Sequence, residues 1–108
     1  MTEYDFHPEA EIDLNEIWDY IADDGLAAAD RVVADVHSAL ERLAPFPQSG
    51  HHRTDLTNRP LRFIRVRDYL IAYAPDEKPL WVIAVMHGYR SPRVMAAILR
   101  GRETPPGR

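Results

Sequence analysis

The sequence predicts an α+β fold: an N-terminal strand, an antiparallel helical hairpin packed on an antiparallel β-sheet, and a short C-terminal helix. Three observations predict it. Apolar residues recur at helical spacing in two consecutive stretches before residue 44, which marks two amphipathic helices. Three short runs rich in valine, isoleucine and aromatic residues follow residue 60, with brief connections of the kind that join antiparallel strands. Ser91-Pro92 then opens a last segment with an N-cap residue and a first-turn proline. At 108 residues the chain has room for one core, so one domain over 1–103 is expected, with 104–108 as a disordered tail.

The elements follow in order. Tyr4-Asp5-Phe6 alternates and leads into His7-Pro8, a strand feeding straight into a helix, since the residue before proline is pushed toward extended geometry. Along that helix Ala10, Leu14, Ile17, Trp18 and Ile21 form a stripe, and Asp24-Gly25 ends it. The second helix runs from about Leu26 to Leu43 on Ala29, Val32, Val33, Val36, Leu40 and Leu43, and Pro45-Phe46-Pro47 stops it. Gln48 to Pro60 lacks periodicity and reads as a loop. The runs Leu61–Val66, Tyr69–Ala74 and Leu80–His87 form a meander. The third is apolar from Trp81 to Met86, as a strand in the middle of a sheet should be. The last helix lies near Arg93–Arg100.

Composition removes several functions. There is no cysteine, which excludes disulfides and thiolate chemistry and suits a reducing cytoplasm. No apolar stretch is long enough to span a membrane, and the first residues lack the basic start and apolar core of a signal peptide; a cytoplasmic protein is expected. The net charge of −4 is unevenly spread. Residues 1–50 carry twelve acids against Arg31 and Arg42, and residues 51–108 carry eleven bases, ten of them arginine, against five acids. Arginine forms planar bidentate contacts with carboxylates and phosphates, so the second half suits an acidic partner or a nucleic-acid backbone. The acidic first half argues against high-affinity DNA binding by this chain alone.

Five histidines raise the question of a metal, but none pairs with another at i, i+4 on a helix; no metal and no cofactor are expected. Neither a glycine-rich phosphate loop nor a serine-nucleophile elbow is present. His87-Gly88-Tyr89-Arg90 at the end of the third run is the one constellation with chemistry. Histidine can move protons near neutral pH, arginine can hold a phosphate and tyrosine can stack on a base. The same residues can equally close the end of the sheet, and their spacing does not separate the two readings.

The order Phe6-His7-Pro8-Glu9-Ala10, Ile17-Trp18-Asp19-Tyr20-Ile21, Pro47-Gln48-Ser49-Gly50, Tyr69-Leu70-Ile71-Ala72-Tyr73 and Val85-Met86-His87-Gly88-Tyr89-Arg90-Ser91 resembles the ParE branch of the ParE/RelE toxin superfamily, over about residues 3 to 100. The resemblance implies the RelE/ParE-like fold and the toxin of a type II toxin–antitoxin pair, neutralised by a ParD-like antitoxin, acting on DNA gyrase to block replication. The alternative within the superfamily is a RelE-like enzyme that cuts mRNA on the ribosome. Such ribonucleases carry an arginine after the first tyrosine of the Tyr-x-x-x-Tyr strand, where this chain has Leu70, and another just past the last strand, where it has Gly88. These departures favour a binding toxin with no catalytic residues; were the chain a ribonuclease, His87, Tyr89 and Arg90 would be its site.

A binding toxin needs a rigid complementary surface. The expected target surface is the open face of the sheet and the last helix: Arg62, Arg65, Arg67, Arg90, Arg93 and Arg100. An antitoxin of this kind would bring a disordered acidic, amphipathic tail that folds on the toxin, with Ile12 and Trp18 as its apolar contacts. A third possibility is a member of the fold that binds a partner without toxicity.

Overall fold

The computed structural model describes residues 3–102, so the tail expected over 104–108 lies outside the described residues. The elements are β1 (Tyr4–Phe6), α1 (Pro8–Ala22), α2 (Leu26–Leu43), a single 3₁₀ turn (Pro47–Ser49), β2 (Arg62–Val66), β3 (Tyr69–Ala74), β4 (Leu80–His87) and α3 (Pro92–Arg100). His7 caps α1 by accepting a hydrogen bond from the Glu9 amide at 3.0 Å, with Pro8 in the first turn. Ser91 does the same for α3 through the Val94 amide, and Pro92 follows it. Both ends therefore satisfy an amide that the helix itself leaves without a partner.

The sheet order is β1-β4-β3-β2. The meander β2-β3-β4 is antiparallel, and β1 joins it in parallel on β4, Tyr4 opposite Leu80 and Phe6 opposite Val82. β4 is thus interior, as its continuous apolar run requires. The hairpin packs Ala10, Leu14, Ile17, Val32, Val36, Leu40 and Leu43 against Tyr69, Ile71, Tyr73, Val82 and Val85.

The open face expected of the sheet is not found. Met95 and Leu99 of α3, with Leu56 and Leu61 from the preceding loop, cover Phe63, Leu70, Ala72, Ile83 and Met86. Arg59 pins that loop to α3, donating from Nη1 to the carbonyls of Leu99 at 2.9 Å and Arg102 at 2.7 Å. The uncovered apolar face left by a lone hairpin is thereby removed from water.

β1 is three residues long and pairs with β4 only as far as Val82. Beyond it, side chains take over the outer edge of β4. Asp13 of α1 accepts from the Val85 amide at 3.0 Å, and Arg102 donates to the Ile83 carbonyl at 3.0 Å. The two side chains bind each other at 2.5 and 2.9 Å, only 15% and 10% exposed. The lock satisfies backbone groups on the edge of β4 that β1 is too short to reach.

Candidate functional site

The arginines expected on one surface separate into different environments. Alternation along β2 puts Arg62 and Arg65 on opposite faces. Arg62 is half-buried and donates to the Gln48 side chain at 3.0 Å and the Gly50 carbonyl at 2.8 Å. Arg67, at a positive φ of 53° in the β2–β3 turn, pairs with Asp35 of α2 at 2.6 Å. Both are thus engaged by groups of the chain itself. Arg65, Arg90, Arg93 and Arg100 are exposed, and none has a carboxylate within ion-pair distance among the described residues. Arg93 and Arg100, seven residues apart, fall on the same outer side of α3 at 100° per residue. Arg90 leads into that helix, and Arg65 reaches the same end of the sheet: its guanidinium lies about 3.0 Å from where a side chain on Gly88 would begin.

Aromatic rings flank these cations. The half-buried His87 ring lies 5.1 Å from Tyr69 and 5.0 Å from Tyr89, centroid to centroid. Tyr89 is 79% exposed, and Tyr20 of α1, 72% exposed, is close enough to act electrostatically on Tyr69. Burial first, then the Arg90 cation, hold the His87 imidazole below its ordinary pKa of 6.5. Burial and the Asp68 carboxylate push the Tyr69 phenol upward. At neutral pH the cluster therefore holds a neutral imidazole at His87 and a neutral phenol at Tyr69 beside Arg65 and Arg90.

A second feature lies on the hairpin. Between α1 and α2 is a crevice of about 480 Å³ lined by Phe6, Glu11, Leu14, Asn15, Trp18, Val33 and His37. The Phe6 and Tyr4 rings pack on His37, whose Nδ1 shares a 2.7 Å hydrogen bond with the Tyr4 hydroxyl. Trp18 Nε1 donates to Asp30 at 2.9 Å. Ile12, 53% exposed, is not part of this crevice. Six residues separate it from Trp18, which turns them about 120° apart around α1. Of the two residues expected to contact an antitoxin, Trp18 lines the crevice and Ile12 lies on another side of α1.

Among the described residues no group of three or more metal-ligating side chains converges, and no helix is long and apolar enough to cross a membrane.

Residues 4–92 match the family model described as the ParE toxin of type II toxin–antitoxin system, parDE. The chain belongs to the ParE toxin family. A solved structure titled "Chromosomal ParDE TA system from P. aeruginosa" is similar in fold, with a TM-score of 0.65 at 18% identity, covering 81% of this chain and 96% of that one. No curated protein matches the sequence. The family match ends at Pro92, where α3 begins, so Arg93 and Arg100 of this ParE-type toxin lie beyond it.

Three features of the ParE-type chain escape a reading of the sequence alone. The Asp13–Arg102 lock joins residues 89 apart; a carboxylate set between Ala10 and Ile17 in an apolar stripe was its signal. Tyr20 comes within electrostatic reach of Tyr69 only through the packing of α1 on the sheet. Arg65 delivers over Gly88 a guanidinium that position 88 itself cannot supply.

Proposed function

We propose that this ParE-type toxin acts in the cytoplasm by binding DNA gyrase and arresting replication, without cutting any bond, and that a ParD-like antitoxin restrains it. The observation that carries this reading is the set of free cations on α3 and the end of the sheet. Arg90, Arg93 and Arg100 form an exposed stripe with no internal counter-ion among the described residues. Arg93 stands in the first turn of α3, a helix with no acid there, where the helix dipole disfavours positive charge. A cation held against that preference is explained by a partner rather than by the fold.

Stoichiometric inhibition needs only a surface that fits one state of its target better than the others. The α3 stripe, the Arg65 guanidinium and the exposed Tyr89 ring offer charge and stacking area to a protein–DNA complex. Leu70, standing where a ribonuclease of the superfamily would hold a phosphate, is buried beneath α3 instead.

One observation favours the ribonuclease reading. Arg65 against Gly88, beside His87, Tyr69 and Tyr89, gathers a cation, an imidazole and phenols within one neighbourhood. Induced expression in a bacterial host separates the two. Replacing Arg90 and Arg93 together with alanine should abolish growth arrest without unfolding the domain, whereas His87→Gln should leave it intact. Growth arrest that survives the double change, or that His87→Gln alone removes, contradicts the binding reading.

A further inference from the structure

We propose that a crevice between α2 and the β2–β3 turn binds a phosphate group through Arg42, Arg67 and Ser38. The crevice holds about 410 Å³ and is bordered from α2 by Asp35, Ser38, Ala39 and Arg42. Those four recur at three- and four-residue intervals, so they share one side of the helix. Asp35 to Arg42 spans about 10 Å of it. Across from them Arg67 leaves the turn at a φ of 53° and gives its Nε to Asp35 at 2.6 Å. Its two Nη nitrogens have no partner among the described residues, and neither have the Arg42 guanidinium and the Ser38 hydroxyl. Ala39, a small residue between Ser38 and Arg42, keeps the space open. Arg65 borders the crevice too, but its guanidinium lies over Gly88, so it adds positive potential rather than a bond.

The donor set selects the ligand. One arginine fork already saturates the two oxygens of a carboxylate. Two forks from different elements, with a hydroxyl between them, suit a tetrahedral anion whose oxygens point in several directions. Charge agrees: two cations less the Asp35 carboxylate leave a net positive site, in a hairpin half that carries only two bases against twelve acids. The helix dipole favours Arg42 in the last turn of α2, but it does not account for a second fork and a hydroxyl facing the same space. The crevice is larger than a phosphate group, which leaves room for an attached nucleoside or a nucleic-acid backbone.

This site goes beyond the toxin reading and does not use the α3 stripe, so its failure would leave that reading untouched. The side-chain Nε–H signals of the ¹⁵N-labelled protein, assigned by substitution, report each arginine separately. Inorganic phosphate should shift the Arg42 and Arg67 signals saturably, and acetate at equal ionic strength should bind at least tenfold more weakly. Arg42→Gln removes charge-assisted hydrogen bonds and should weaken phosphate about tenfold or more, with an unchanged circular dichroism spectrum. Arg42→Lys, which keeps the charge without the fork, should fall between. Lys78→Gln, beyond the opposite end of β3, should change nothing. Thymidine 5′-monophosphate and the dinucleotide TpT then separate the sources: tighter binding of the first assigns a free nucleotide, and of the second a nucleic-acid backbone. Shifts that do not saturate, acetate binding as tightly as phosphate, insensitivity to Arg42→Gln, or an equal loss in Lys78→Gln would each overturn the proposal.

Discussion

At the scale of single residues, the Asp13–Arg102 pair is the most consequential contact, because it holds two charges and two strand-edge backbone groups in one place. Asp13→Ala strands a largely buried guanidinium and the Val85 amide, and should lower stability by about 3 kcal/mol, within the range for breaking a buried pair. Replacing both residues with leucine should cost less, because no unpaired charge remains; urea denaturation of both variants reads the difference. His87 gives a pH signature. Its imidazole is held below its ordinary pKa of 6.5 in the fold, chiefly by burial, so the unfolded chain binds the proton first. Stability is therefore full above about pH 6.5 and falls as the pH drops below it. His87→Gln should flatten that part of the curve of melting temperature against pH, and an unchanged slope would mean that another group titrates there. Trp81 carries a buried indole N–H with no partner among the described residues. Trp81→Phe removes it, which offsets part of the lost packing, so the change should move the melting temperature little.

At the scale of elements, the helices were legible and their surroundings were not. The stripes of α1 and α2, the Ser91-Pro92 start of α3 and the apolar run of β4 are local patterns that a sequence displays. Strand partnership is not local. Nothing near Tyr4 says that β1 pairs in parallel with Leu80–Val82, or that α3 folds back to close the second face. The same limit governs the site. Arg62, Arg65 and Arg67 look alike in a row, but strand alternation and the turn send one to the Gly50 carbonyl, one over Gly88 and one to Asp35. The α3 stripe was legible because two arginines seven apart on a helix must share a side. That helix also yields a discriminating variant. Arg93→Glu reverses an unfavourable charge in the first turn and should raise stability by about 0.5 kcal/mol, while removing growth arrest. A less stable protein would show that Arg93 supports the fold and not a partner.

At the scale of the whole molecule, the charge map divides the labour. The hairpin half holds twelve acids against two bases, and the sheet half eleven bases against five acids, so one chain presents a cationic end at α3 and an anionic crevice between α1 and α2. Association at the cationic end should be steered by long-range attraction, its rate falling steeply with added salt while dissociation changes little. The central claim is that this ParE-type chain works by occupying a target. Titrating purified gyrase with the protein and following DNA supercoiling tests it most directly. Inhibition that saturates near one toxin per target, persists in His87→Gln and disappears in the Arg90→Ala, Arg93→Ala double variant is the predicted result. Undisturbed supercoiling, together with messenger RNA cut on ribosomes in a His87-dependent way, would contradict it.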